Sequence, residues 1–328
     1  MAFSPRQFMS GHVYELTFRA RKGFPLPPKR VIKSLLRSCL GRTQRDFKVH
    51  ICHFLWMANH MHMVIIIKDA EAAKLFYAEL KKKITDGLKA MTGRSYLLLW
   101  ERRPNVMRLY DIEDVKLKIA YVYANPARAG LVNSIDEYPG YSSIELYKAL
   151  KDSPVTAKSS ELVPWLRLPR IERLPPLLSE ATDKFMSEKW EKEAKKKHLL
   201  VIEPNLWMAC FGVTDQEEVT ALNKEIVADL YGREMQFKEE RTSQGKSVVG
   251  VNRLKKMAIM AEYTPKKTKA DRHVFIVCRD KLTRILFIAQ FKEFAALCKA
   301  RYQEWKAGDF SSPWPVGAFR PPMPNAIS

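Results

Sequence analysis

Apolar positions recur at two different spacings along the first 150 residues, and the switches between them set out an order of elements. HVYELTFRA (12–20) alternates as a half-buried strand does, and VIKSLLRSCLG (31–41) has helical spacing with a predicted stop at Gly41. FKVHICHFLWMANHMHMVIII (47–67) is rich in β-branched and aromatic residues and predicts two strands turning near Ala58 and Asn59. Residues 71–91 return to helical spacing, with Lys81, Lys82 and Lys83 on a basic face. The next helix has the clearest start: Asp111 as N-cap, then Glu113 and Asp114 in the first turn, where the helix dipole favours acids. Its stripe is Ile112, Val115, Ile119 and Val122. Its predicted end is Pro126, because the residue before a proline is pushed out of helical geometry. Strand, helix, two strands, helix, helix predicts an α+β fold, a largely antiparallel sheet covered by helices.

After residue 150 the texture changes. DSPVTAKSS, a proline-spaced stretch and EKWEKEAKKK predict a linker and a charged helix over 151–200. Residues 201–310 are expected to form a basic accessory α+β region, mostly helical. It should contain a helix beginning at Thr214 with Glu217 completing a capping box, the basic stretches VNRLKK and TPKKTKADR, a strand HVFIVC, and a helix over 280–306. The end, 311–328, is Pro-rich and expected to be extended over the surface or disordered. With 1–150 as the first domain, this gives a four-part division.

Charge narrows the class of partner. The 56 Lys+Arg against 36 Asp+Glu leave a net +20, and the excess is shared: +12 in residues 1–150 and +8 in the remainder. Such a field attracts polyanions, nucleic acid first among them. Five scattered cysteines without a CxxC pair fit reduced thiols better than a disulfide framework or a zinc ribbon. No signal peptide and no apolar run of membrane-spanning length is visible, so a cytoplasmic location, nucleoid-associated when DNA is bound, is expected.

Within MANHMHMVIII (57–67), residues two apart on a strand share a face, so His60 and His62 point the same way. Two adjacent imidazoles can chelate one divalent ion, although a bare HxH is more often a pair of hydrogen-bonded histidines. In YVYANPARAG (121–130), Tyr121 and Asn125 stand one helical turn apart and project from one side. They offer a phenol and a neutral oxygen ligand, or else a packing aromatic and a helix terminator.

Four stretches together carry a resemblance. MANHMHMVI is similar to the MPNHVHLLV segment of the HUH single-tyrosine transposases, which include insertion-sequence transposases and their REP-associated relatives. YVYANPARAGLV resembles their YIHLNPVRAGLV, LLLWERR (97–103) their LWQGRF, and DEYPGYSS (136–143) their YPWSS ending, all in the same order across residues 12–143. The resemblance implies an HUH, ferredoxin-like endonuclease core. It makes His60, His62 and Asn125 the ligands of Mg²⁺ or Mn²⁺, and Tyr121 the nucleophile that cuts single-stranded or hairpin-bearing DNA and keeps a 5′-phosphotyrosine for rejoining. Ala58 replaces the family's proline, and Tyr123 stands where relatives often have His, which leaves two phenols as alternatives.

Candidate phosphate contacts are Lys81, Lys82, Lys83, Arg102, Arg103 and Arg128, with Glu15, Lys118 or Asp114 as residues that tune the site. The expected state is a monomer or a homodimer. The rival reading is a domesticated, non-catalytic binder of DNA or RNA hairpins; a replication-initiating or relaxase-type HUH protein is a third. Two other signals are set aside. SQGKS (243–247) lacks the first glycine of a phosphate-binding loop, because position 240 is Glu240. His50 and His53, three apart, are expected on opposite strand faces.

Overall fold

The computed structural model describes residues 7–21, 23–101, 105–168, 171–262, 276–278, 280–321 and 323. Arg102, Arg103 and the TPKKTKADR stretch therefore lie outside the described residues. The centre is an open sheet of order β5-β6-β2-β3-β1-β4-β7. Its strands are β1 (His12–Arg19), β2 (His50–Trp56), β3 (His60–Ile67), β4 (Asn105–Leu109), β5 (Ser159–Pro164), β6 (Lys197–Ile202) and the two-residue β7 (Ile276–Val277). All pairings are antiparallel except β2–β6 and β4–β7, so the largely antiparallel sheet expected from the sequence is what forms.

Strand alternation divides the core in two. Tyr14, Leu16, Phe18, Met61, Met63 and Ile65 face α1 (Arg30–Phe47) and α2 (Ala70–Thr92), and α5 (Glu180–Glu193) packs beside α1. Val13, Val64, Ile66, Met107 and Leu109 face α3 (Ile112–Arg128) and α6 (Gln216–Ser243), which pack along each other. His60 and His62 share the register of Val64 and Ile66, so they belong to the α3 side. The remaining helices are α4 (Ile144–Leu150), α7 (Val251–Lys255) and α8 (Lys281–Lys306). Among the described residues, no helix is long and apolar enough to cross a membrane, and all five cysteines are free.

Several local expectations are corrected. The 151–200 segment supplies strands β5 and β6 as well as its charged helix, and both strands extend the central sheet. The α6 N-cap is Asp215, which accepts from the Glu217 and Glu218 amides, so the helix begins one residue later than the Thr214 box implies. His50 and His53 pair with Ile66 and Val64, two positions apart on β3. A bulge at Cys52 supplies the extra residue that returns both histidines to one face. Of the Pro-rich end, Gly317 accepts the Phe8 amide at 3.1 Å and Phe319 packs its ring 5.2 Å from that of Phe8.

Gly41 does not end α1, which continues to Phe47. It is there for closeness: a Cβ at this position would stand 2.4 Å from Val163 Cγ2. Replacing it by alanine forces β5 off the helix and should cost about 1–3 kcal/mol, the usual range for overpacking. Chemical denaturation of Gly41→Ala measures this; an unchanged midpoint would mean that the helix and β5 do not meet as described.

Candidate metal and nucleophile site

The β2–β3 turn places His60 and His62 side by side at the start of β3, with ring centroids 5.0 Å apart and planes at 84°. Each ring is held through its Nδ1. His60 Nδ1 donates to Asn59 Oδ1 at 2.7 Å, and His62 Nδ1 donates to Glu15 Oε1 at 2.8 Å, with Thr17 Oγ1 a further 3.3 Å contact. An amide oxygen and an ionised carboxylate can only accept, so both protons sit on Nδ1. That leaves Nε2 as the nitrogen each ring can present to a ligand. This outer layer of acceptors fixes tautomer and ring orientation in metal sites.

The surroundings of His60 favour its neutral state. Burial first, then the nearby His62 and Arg19, hold the His60 imidazole well below the ordinary histidine range, so it stays neutral near pH 7. For the fully buried Glu15, burial pushes the carboxyl up, but the hydrogen bond with His62 and the charge of Lys118 outweigh it and bring it down to about 2. Lys118 Nζ lies 3.0 Å from Glu15 Oε2 and also 4.8 Å above the Tyr121 ring. Glu15 thus links an imidazole to the helix that carries the phenol.

That helix runs on past its proline. Pro126 lies inside α3, which ends at Arg128, with Ala129 as cap and Gly130 in the left-handed region at φ 66°. The Gly130 amide donates to Ala127 O at 3.0 Å and the Leu131 amide to Pro126 O at 2.9 Å, the two bonds of a Schellman ending. The stop signal is therefore the Ala129-Gly130 pair and not Pro126. Proline has no N–H to give the carbonyl four residues back, here Val122. Asn125 takes over: its Nδ2 donates to Val122 O at 3.3 Å and to Tyr121 O at 3.1 Å. These bonds aim the amide nitrogen at the backbone and leave Oδ1 as the ligand-capable atom. Among the described residues, no hydrogen bond joins Asn125 to either histidine.

Tyr121 is half-buried, with its ring centroid 6.0 Å from that of His62 and edge-on to it at 88°. Arg128 Nη1 donates to its phenol oxygen at 2.6 Å, and the guanidinium carbon lies 5.3 Å from the ring centroid. A cation in this position stabilises negative charge developing on that oxygen. Arg128, expected as a phosphate contact, is thus seated on the candidate nucleophile.

Tyr123 is in a different environment. It is fully buried, its hydroxyl 3.0 Å from His53 Nδ1 and 2.9 Å from Ser143 Oγ. Burial pushes its phenol far above the ordinary tyrosine range, so a phenolate there is disfavoured. Tyr123→Phe should cost about 1–3 kcal/mol, the range for stranding buried polar partners, in an unfolding titration. It should leave any reaction at Tyr121 in place; loss of that reaction in a folded Tyr123→Phe protein would reverse the two assignments.

The lysines of α2 are not brought to the site, because that helix covers the opposite sheet face. Lys82 pairs with Asp86 at 3.1 Å and Lys83 with Asp46 at 3.3 Å. Lys81 donates to Glu101 O at 3.2 Å, and burial brings its ammonium down to about 8. Asp114 also lies elsewhere: with Asp111 and Cys278 it forms a group whose ligand-capable atoms all lie within 4.8 Å of one another. Asp111 already serves there as the α3 cap, accepting the Asp114 amide at 2.6 Å.

Asn59 is the partner residue that sequence reasoning passed over, although it sits beside His60 in the chain. Glu15 had a visible signal, a lone carboxylate within the apolar strand HVYELTF. Two imidazoles side by side, each anchored through Nδ1, suit a divalent ion of the borderline kind, Mn²⁺ at least as well as Mg²⁺.

No family model and no curated protein matches this chain. Among solved structures, the chain is similar to one described as a REP-associated tyrosine transposase bound to a REP hairpin, at TM-score 0.40 and 20% identity, over 46% of this chain and 87% of that one.

Proposed function

We propose that this protein cuts and rejoins single-stranded DNA at hairpin-bearing sites, with Tyr121 as nucleophile. The observation that carries the reading is the meeting of a half-buried phenol from α3 with the anchored imidazole pair of β3 on one sheet face. The resemblance of four ordered motifs to the HUH single-tyrosine transposases supports the same assignment. A divalent ion held by His60, His62 and Asn125 would supply Lewis-acid stabilisation of charge on the scissile phosphate oxygen.

The chain's own groups account for the rest. Arg128 holds the Tyr121 oxygen and offsets charge on it as the phenol gives up its proton. Tyr121 Oη forms a bond to phosphorus while the bond to the 3′ oxygen breaks, and that oxygen leaves as a hydroxyl after gaining a proton. The product is a 5′-phosphotyrosine. Reversal by a new 3′-hydroxyl conserves the bond, so no nucleotide cofactor is consumed. Glu15 and Asn59 keep the imidazoles aimed throughout.

The test is an incubation of the full chain with labelled single-stranded DNA bearing a hairpin, with Mn²⁺ or Mg²⁺. A labelled protein band surviving denaturing electrophoresis is expected only with metal present. Binding without any adduct, across hairpins of varied sequence, would instead favour a non-catalytic hairpin binder.

A further inference from the structure

The SQGKS stretch set aside as a nucleotide loop forms the turn after α6, and that turn is bound to the end of the nucleophile's helix. The Val249 amide donates to Gly130 O and the Gly250 amide to Leu131 O, both at 2.9 Å. Arg241, in the last turn of α6, donates through Nη1 to Ala127 O at 2.5 Å and through Nη2 to Asn133 Oδ1 at 3.0 Å. These contacts build one wall of a cavity of about 460 Å³, lined among others by Arg128, Arg241, Lys246, Ser247, Phe237 and Glu240.

The lining has the composition of a strand-binding groove. Three cations face it against one carboxylate, and Glu240 Oε1 already accepts from Gln236 Nε2 at 2.8 Å. Among the described residues, the partners of those cations are a phenol for Arg128, carbonyl and amide oxygens for Arg241, and the Gln244 amide for Lys246. None of the three charges is neutralised by a carboxylate. Phe237 is half-buried and adds an aromatic surface of the kind on which bases stack. Arg128 lines the cavity and also donates to the Tyr121 oxygen, so this side chain connects the groove to the nucleophile.

We infer that this groove, walled by α6 and its SQGKS turn, binds the phosphate backbone of single-stranded DNA flanking the phosphate presented to Tyr121. The inference rests on the proposed strand-cutting function for its orientation, but not for the binding itself. It gives α6, which lies beyond the four resemblance motifs, a part in substrate binding. Lys246 is exposed at the turn and within reach of a phosphate, while Arg241 anchors the wall.

The experiment measures binding alone, by fluorescence anisotropy with a labelled random-sequence single strand of about 16 nucleotides. It uses the Tyr121→Phe chain without metal, over a salt series. On a single strand each neutralised phosphate contributes a slope of about −0.7 in log affinity against log salt. Adding Lys246→Glu should therefore weaken binding at least about fivefold at 0.1 M salt and make the slope shallower by about 0.7. Lys184→Glu, on α5 beyond the opposite sheet face, is the control for net charge and should leave the slope in place.

Equal affinity and slope in the Lys246→Glu protein would overturn the inference, as would an equal loss in the control. Lys246 is exposed on a turn, and a matching thermal melt confirms that the comparison is between folded proteins. The two readings fail separately. Weakened binding without any adduct from the unmodified chain would keep the groove and remove the cutting reaction. An adduct with unchanged Lys246→Glu binding would do the reverse.

Discussion

Tyr121→Phe should reduce covalent attachment to hairpin-bearing single-stranded DNA by at least about a thousandfold, to the limit of detection on a denaturing gel. The substitution deletes one oxygen and nothing else that the surroundings depend on. The ring keeps its edge-on contact with His62 and its place beneath Lys118, and the lost hydrogen bond is one from a long, solvent-reaching Arg128. Affinity for the strand should therefore be unchanged, so binding and reaction separate in a single variant. Adduct formation by the Phe protein would remove Tyr121 from the nucleophile's role, and Tyr123 would be poorly placed to inherit it. Tyr123 is fully buried, with His53, Tyr147 and Ser143 around it.

Glu15→Gln is the second large effect, and it separates charge from shape. Glutamine still offers His62 an acceptor oxygen at the same reach, but Lys118 loses its buried counter-charge and His62 loses the carboxylate that fixes Nδ1 as donor. Affinity for Mn²⁺, read by calorimetry, should fall about 10–100-fold, the usual consequence of altering a ligand's outer partner. Stability should fall by about 1–3 kcal/mol. The sign of the pH dependence follows from the depressed carboxyl. Its folded value of about 2 lies below the ordinary 4.5, so its contribution is complete above about pH 4.5 and is lost as pH falls toward 2. The stability gap between the parent and Glu15→Gln should close over that acid window. A gap that is constant with pH, with full metal affinity, would mean that Glu15 is only a packing residue.

Much of this site could be read from the sequence because its signals are local. HxH at strand spacing fixes a shared face without knowledge of the fold, and the i, i+4 relation fixes Tyr121 and Asn125 on one side of a helix. The failures have a common physical origin, in tertiary packing that overrides a local rule. Pro126 reads as a terminator, yet Asn125 satisfies the carbonyl that proline abandons, and the helix runs on to Ala129-Gly130. Gly41 reads as a stop, yet it is a point of contact with Val163. The bulge at Cys52 moves His50 and His53 onto one face, which no count of residues can foresee. The α2 lysines read as a DNA face, but charge on a helix says nothing about which side of the sheet the helix covers. The role of 151–200 was the least legible, because β5 and β6 are short strands: β5 pairs only with β6, and β6 joins the sheet through Ile51, far earlier in the chain.

The most direct measurement is a crystal of the protein soaked in Mn²⁺, with the ion located by its anomalous scattering. One strong peak is expected on the α3 side of the sheet, within about 2.3 Å of Nε2 of both His60 and His62. Tyr121 Oη should stand close enough to share a phosphate with that ion. A peak confined to Asp111, Asp114 and Cys278, with both imidazoles bare, would contradict it.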